Sequence, residues 1–230
     1  MNKLYLCLIF MVAITSSCQK ELSFDGAGTG PTDNLVCLTC DYMPMCDSTR
    51  LNYVDSMAGT GTNRSFVYDV TADTVINGAV FKKIKEVGSG QSTYMNCDGN
   101  VISNFIATGT SMGGAVITNY MQIALKANEA VGATWQDQFV VNGLTTVSRY
   151  QIIEKNITRQ VFDSTYTNVI YVRDTMVTVV PLLGETILAV RKNYIARGVG
   201  LIESVSEQID PFTGNGIPFF IRKLKSYRIR

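Results

Sequence analysis

The sequence predicts an all-β protein, an antiparallel sandwich or partly closed barrel of about ten to twelve strands. Three observations predict it. Apolar runs meet at Asn77-Gly78, Asp98-Gly99 and Asn142-Gly143, and such dipeptides mark hairpins because both central positions tolerate positive φ. The runs themselves are rich in Val, Ile, Tyr and Thr, which suit a pleated, half-buried surface. No long stretch repeats its apolar residues at the 3.6 spacing of a helix.

The chain opens with Lys3, an apolar run from Leu4 to Ile14, the small residues Thr15, Ser16 and Ser17, and then Cys18. The run is too short to span a bilayer and fits a signal-peptide core. A positive start, a short apolar core and small residues before a cysteine resemble the lipobox of bacterial lipoproteins, with Thr15 where that motif more often has Leu. The resemblance implies that residues 1–17 are removed and that Cys18 becomes the lipid-modified first residue. Residues 18–36 form a Gly-, Thr- and Asp-rich tether without periodicity. Residues 37–230 form one β domain. It opens with a cysteine-rich loop, CLTCDYMPMCDSTRLNY, that precedes the first strand.

Beyond that loop, Phe66, Tyr68 and Val70 alternate onto one face. Residues 73–76 and 79–87 flank Asn77-Gly78, residues 94–97 precede Asp98-Gly99, and residues 138–141 and 144–153 flank Asn142-Gly143. Ala115 to Leu125 is assigned as strand, although it is also the best of a poor set of helix candidates. Residues 159–180 hold two strands, broken by Pro181 and Gly184. Residues 186–196, 201–207 and 219–229 complete the set.

Composition narrows the chemistry. The chain has no histidine, which removes the Ser-His-Asp triad, the Cys-His pair and His-ligated zinc together. Lys3 is the only charge of the signal segment, so the 20 basic and 19 acidic side chains of the whole chain come to balance in the mature part. Such a balance offers no electrostatic footprint for nucleic acid. Nothing calls for a metal or another cofactor. The expected contact with a membrane is the lipid on Cys18; a protein or small-molecule partner is not legible.

With Cys7 and Cys18 set aside, Cys37, Cys40, Cys46 and Cys97 remain. An even count in an exported chain favours disulfides. Cys97 is the natural long-range partner for one member of the loop, with the other two loop cysteines bonded to each other. Four thiolates holding zinc is the rival. The glycine-rich Gly109 to Gly114 segment lacks both the Gly-Lys-Ser/Thr ending of a phosphate loop and the Gly-x-Ser-x-Gly of a nucleophile elbow. The carboxylates, among them Asp137, Glu154, Asp163 and Asp174, form no recognisable pair. Trp135, the single tryptophan, is read as a core anchor with Phe139.

Several segments together resemble uncharacterised exported lipoproteins of the Bacteroidetes. They are Asp73-Thr-Val-Ile-Asn-Gly78 with Phe81-Lys-Lys-Ile84, Gly132-Ala-Thr-Trp135, and Tyr194-Ile-Ala-Arg-Gly-Val-Gly-Leu-Ile202. Gln19-Lys20-Glu21 is similar to the short charged signal that follows the lipid cysteine in their surface-exposed members. The resemblance implies a shared β-rich fold and a place in the cell envelope, as an outer-membrane lipoprotein; it implies no activity. In the last segment, Gly198 and Gly200 are read as a bulge or tight crossover. Ser48, Ser56, Thr74, Ser164 and Thr175 each follow an Asp and precede Thr, Met or Val. That pattern resembles the O-glycosylation signal of such proteins, while Asp-Ser/Thr also begins ordinary turns; both readings stay open.

Three functions are compatible with these features. The leading one is a non-enzymatic binding or envelope-structural lipoprotein. The second is a carrier of apolar molecules in a half-barrel cavity, motivated by the Val-, Ile- and Met-rich stretches 115–125 and 159–190. The third is a carboxylate-based hydrolase, which needs two acids converging in a cleft.

Overall fold

Two-residue turns set the register of this chain. In the computed structural model, which describes residues 37–38, 40–58, 61–110, 116–141, 143–180, 184–210 and 213–229, Asn77 and Gly78 have φ of 51° and 82°. They join Ile76 directly to its partner Ala79, as a primed turn requires. The second expected turn lies one residue later than read. Asp98 pairs with Val101, and Gly99 and Asn100 take the positive φ values. Asp98 is thus the last residue of its strand, and the asparagine that follows the glycine completes the turn because it too tolerates the left-handed region. Asn142 lies outside the described residues, but Val141 pairs with Leu144, which leaves a two-residue link.

These turns join the strands β1 (Cys37–Leu38), β2 (Met45–Cys46), β3 (Arg50–Met57), β4 (Asn63–Ile76), β5 (Ala79–Glu86), β6 (Ser92–Asp98) and β7 (Val101–Thr110). The second half comprises β8 (Val116–Lys126), β9 (Thr134–Val141), β10 (Leu144–Val161), β11 (Ser164–Val180), β12 (Gly184–Ala196), β13 (Gly200–Ile209) and β14 (Gly216–Arg228). The all-β class is the one the sequence predicts, and residues 116–125 of the stretch read from Ala115 are strand. The link within 159–180 falls at Phe162 and Asp163, between Val161 and Ser164. β10 is longer than its apolar pattern implied, because three register shifts after Ile152 let it bend without ending.

β1 and β2 form a short ribbon; the other twelve strands form one antiparallel sheet. The sheet is a meander whose ends meet. β3 pairs with β14, and the two edge strands, β8 and β9, are consecutive in sequence. The sheet is thereby nearly closed into a barrel.

The two edges are sealed by side chains. Trp135 Nε1 donates to the carbonyl of Ile123 at 2.8 Å, and the Asp137 carboxylate accepts from the Ile123 amide at 2.7 Å. Both backbone groups of Ile123 on this edge are thereby satisfied by side chains of β9. Tyr120 and Phe139 pack ring to ring across the same line. Replacing Trp135 with Phe keeps most of the ring and removes the donor. We expect that variant to lose about 1–3 kcal/mol in urea unfolding; an unchanged midpoint would mean the seam is held elsewhere.

The apolar core fills one end of the barrel. Ile102, Leu125, Ile152, Val169, Ile170, Val172, Ile202 and Leu224 are at most 1% exposed, and each such side chain contributes roughly 1.5–3 kcal/mol. Residues 40–49 lie across this end as a plug. A disulfide ties Cys40 to Cys97 with Cα atoms 6.0 Å apart. Cys46 is also disulfide-bonded, and strand register sets Cys37 opposite it. The disulfide-bonded sulfurs of Cys40, Cys46 and Cys97 are therefore not available as thiolates for zinc. Lys82, with 1% of its side chain exposed, is held by Asp47 of the plug and Asp73 of β4.

The Tyr194 to Ile202 segment docks the plug. The Gly198 amide donates to the carbonyl of Asp41 at 2.6 Å, and Arg197 pairs with the Asp41 carboxylate. Gly200, at φ +107°, lies against Tyr42 and Met43 of the plug, a backbone conformation that favours glycine.

Candidate functional site

The interior also holds a cavity beside this core. Alternation along each strand sends every second residue inward, and cross-strand partners lie on the same face. One row of partners runs Trp135, Tyr150, Asp174, Arg191, Ser206 and Phe220 across six strands. The next row runs Asn193, Ser204, Arg222 and Asp55. The facing wall contributes Met95, Asn104 and Gln122 as partners, with Tyr120 opposite Ile106. All of them except Trp135, Asp174 and Asp55 border a cavity of about 580 Å³ with Met43 of the plug in its wall, within the size range of small-molecule sites.

The lining mixes apolar side chains, Met95, Ile106 and Phe139 among them, with polar ones. Asp174 is fully covered, and its carboxylate meets the Arg191 guanidinium at 2.5 Å. Desolvation raises the Asp174 pKa; the charge of Arg191 opposes that shift, and Asp137 adds to it. Arg191 lies deep in the protein, yet 29% of its side chain is uncovered, and it is one of the residues that border the cavity. Arg222 grips Asp55 with two bonds, 2.8 and 2.7 Å. Its guanidinium lies 5.7–5.8 Å from the ring centroids of Tyr53, Phe66, Tyr68 and Phe220, the alternating aromatic face foreseen on β4 included. Each inward arginine thus has its own carboxylate, and the lumen carries balanced charge.

Uncharged groups complete the lining. Gln122 Nε2 donates to the Tyr150 hydroxyl at 2.7 Å, and Ser204 donates to Asn193 at 2.8 Å. Burial pushes the Tyr150 hydroxyl up to about 12 and raises that of Tyr120 as well, so both stay protonated. Tyr120 Oη, Asn104 Oδ1, Arg191 Nε and both Asp174 carboxylate oxygens are shielded from solvent; Arg191 and Asp174 face each other as an ion pair, and the Tyr120 hydroxyl lies beside that of Tyr150.

Of the residues singled out in the sequence, Trp135 is 8% exposed and stacks on Tyr150 with ring centroids 5.4 Å apart, outside the cavity lining. Ser48 lies in a turn and Ser164 opens β11 just after one, whereas Ser56, Thr74 and Thr175 lie inside strands. The aspartates before those three hold Arg222, Lys82 and Arg191 in ion pairs, so a turn-starting role does not apply to them. The segment 111–114 and Cys18 lie outside the described residues. Arg191, Arg222, Tyr120, Asn104 and Tyr150 were not foreseen. The available signal was an inward alternation, Val172, Asp174, Met176 and Thr178, that carries a charge amid apolar residues.

No family model matches the sequence, and no curated protein matches it. Two solved structures are similar in fold. One is assigned as a lipoprotein of Parabacteroides distasonis, with a TM-score of 0.52 at 10% identity. The other is assigned as an exported protein of Bacteroides fragilis with a YmcC-like fold, with a TM-score of 0.50 at 10% identity. Each match covers 83% of this chain and 100% of the other. The fold is common to all three. At this identity the likeness speaks for the backbone arrangement alone; both of the similar proteins come from Bacteroidetes.

Proposed function

We propose that this chain is an exported lipoprotein, anchored in the cell envelope through Cys18, whose barrel binds a small molecule without transforming it. The observation that carries the binding part is the cavity of about 580 Å³, bordered by both apolar and hydrogen-bonding side chains. The inward carboxylates favour binding over hydrolysis. Asp174 answers Arg191, Asp55 answers Arg222, and Asp137 holds the Ile123 amide of the seam. A general acid or base needs a carboxyl able to reach substrate, and these three are committed to the wall. The apolar-carrier reading stays open beside it, since Met43, Met95, Ile106, Phe139, Ile195 and Leu201 also border the cavity.

The envelope part rests on the lipobox resemblance, with an outer-membrane address as its simplest extension; the lipoprotein and exported-protein assignments of the two structural neighbours accord with it. Metabolic labelling with a fatty-acid analogue tests the anchor. Wild type should incorporate label and Cys18→Ala should incorporate none. Equal labelling of the two would remove the lipoprotein assignment and leave the barrel argument untouched.

A further inference from the structure

The polar side chains that border the cavity are largely spent on one another. Gln122 donates to the Tyr150 hydroxyl, Ser204 donates to Asn193, and Arg191 and Arg222 each hold an aspartate. The buried polar atoms that lack a hydrogen bond among the described residues are shielded from solvent, so they give a ligand nothing to reach. What remains for a ligand to touch is mainly apolar, with Met43, Met95, Ile106, Phe139, Met176 and Leu201 in the wall. Covering such surface is favourable in proportion to its area. A charged group would instead leave water for a lumen whose cations are already neutralised.

Shape narrows the class. Leu201 and Ser206 both border the cavity and lie on β13 roughly 17 Å apart at the rise of a strand. A space that long, with a volume of about 580 Å³, is narrow; it has the form of one flexible chain rather than of a fused ring system. Met43, Met57, Met95 and Met176 lie along it, and thioether side chains adapt to an irregular apolar partner. At the strand ends away from the plug, Met57 borders the cavity and is 52% exposed. Strand pairing sets Val140, Val179, Ile187 and Ile217 at the same ends, and all four are exposed. Exposed apolar side chains gathered in one place mark where an apolar ligand meets the protein.

We infer that the cavity takes a single acyl chain, which enters chain first between these strand ends and leaves its polar head outside. The inference rests on the binding role proposed above and adds its chemical class.

The mature chain is tested with Cys18→Ser, so that it carries no acyl group of its own and needs no detergent. The uncharged dye phenylnaphthylamine, which brightens in apolar surroundings, is titrated in and then displaced by decanoate, dodecanoate and tetradecanoate below their micelle concentrations. The dye should bind saturably, and each added methylene should tighten the competitor roughly fourfold. Dodecanoyl lysophosphatidylcholine is run beside the free acid, and the tighter of the two names the source of the chain. Ala124→Phe fills part of the space that Ala124 borders and should weaken the acids at least tenfold, with the melting temperature checked to confirm folding. Met57→Glu serves as the second variant; the position is exposed, and a carboxylate there should weaken the acids severalfold. Thermal stabilisation by maltose or citrate without dye binding would overturn the acyl class and keep the binding role, as would displacement that ignores chain length. No response to any probe would overturn both. Acid binding that neither variant weakens would place the ligand outside the lumen and overturn the site.

Discussion

Replacing Arg191 with Met should cost roughly 3–5 kcal/mol of folding stability, the usual result of leaving one member of a buried ion pair alone. Asp174 has no exposed side-chain surface, and the shared face of β11 and β12 offers it no second cation among the described ion pairs. The loss should depend on pH in a definite direction. Burial already raises the Asp174 pKa above the ordinary 3.8, and removing Arg191 takes away the charge that opposed this. In the variant, the folded protein therefore keeps Asp174 protonated where the unfolded chain has ionised it. Below the unfolded pKa both states carry the proton and no penalty arises. As pH rises above it, the variant loses stability relative to wild type until the folded pKa is reached. Urea unfolding at about pH 4 and pH 7 should therefore show a much smaller deficit at the lower value. A second change, Asp174→Leu, placed on top of Arg191→Met should recover most of the loss, since an apolar pair of similar volume is often as stable as a buried ion pair. A deficit that ignores both pH and the second change would mean the arginine acts by packing alone.

The Cys40–Cys97 bridge should have an effect of comparable size. It links residues 57 positions apart, and for a loop of that length the chain-entropy model gives about 4 kcal/mol. Replacing both cysteines with Ala avoids a stray thiol and should lower the unfolding free energy by about that amount, with a correspondingly lower denaturation midpoint and no new transition. The plug would remain docked through Asp41, Gly198 and Arg197, so the native fold should persist at low denaturant. If the double variant matched wild type, the plug would have to be organised already in the unfolded ensemble.

How much of this was legible in the sequence follows the range of the forces involved. The turn at Asn77-Gly78 rests on two residues whose own backbone preferences decide it, and it lies where those residues are. The turn at Gly99-Asn100 shows the limit. Asp98, Gly99 and Asn100 all tolerate a turn, and only pairing of Asp98 with Val101 selects the last two. The lumen could not be read in the same way. Asp55 and Arg222 are 167 residues apart and meet because β3 pairs with β14, a closure that no local pattern announces. The sequence showed Asp55, Asp73 and Asp174 as first members of Asp-Ser/Thr pairs, and showed the carboxylates as scattered. Each acquires its meaning from a cation on another strand. Trp135 was legible as an anchor because a single large ring in a β-rich chain is costly to leave in water, but its donation to Ile123 depends on two edges meeting.

That meeting gives the barrel a mechanical property. Strands joined by a hydrogen-bonded ladder separate only by breaking backbone pairs in sequence, and a fully laddered cylinder resists any change of girth. Here β8 and β9 touch through an indole, a carboxylate and a pair of rings, which rotate about their own torsions while the backbones stay fully paired on their other sides. The wall therefore has a line of least resistance running its length, and it lies beside Tyr120 and Gln122. A molecule too wide for the end of the barrel could enter along that line, as through the slit of a purse, and Trp135→Phe is the variant in which the slit should close least well.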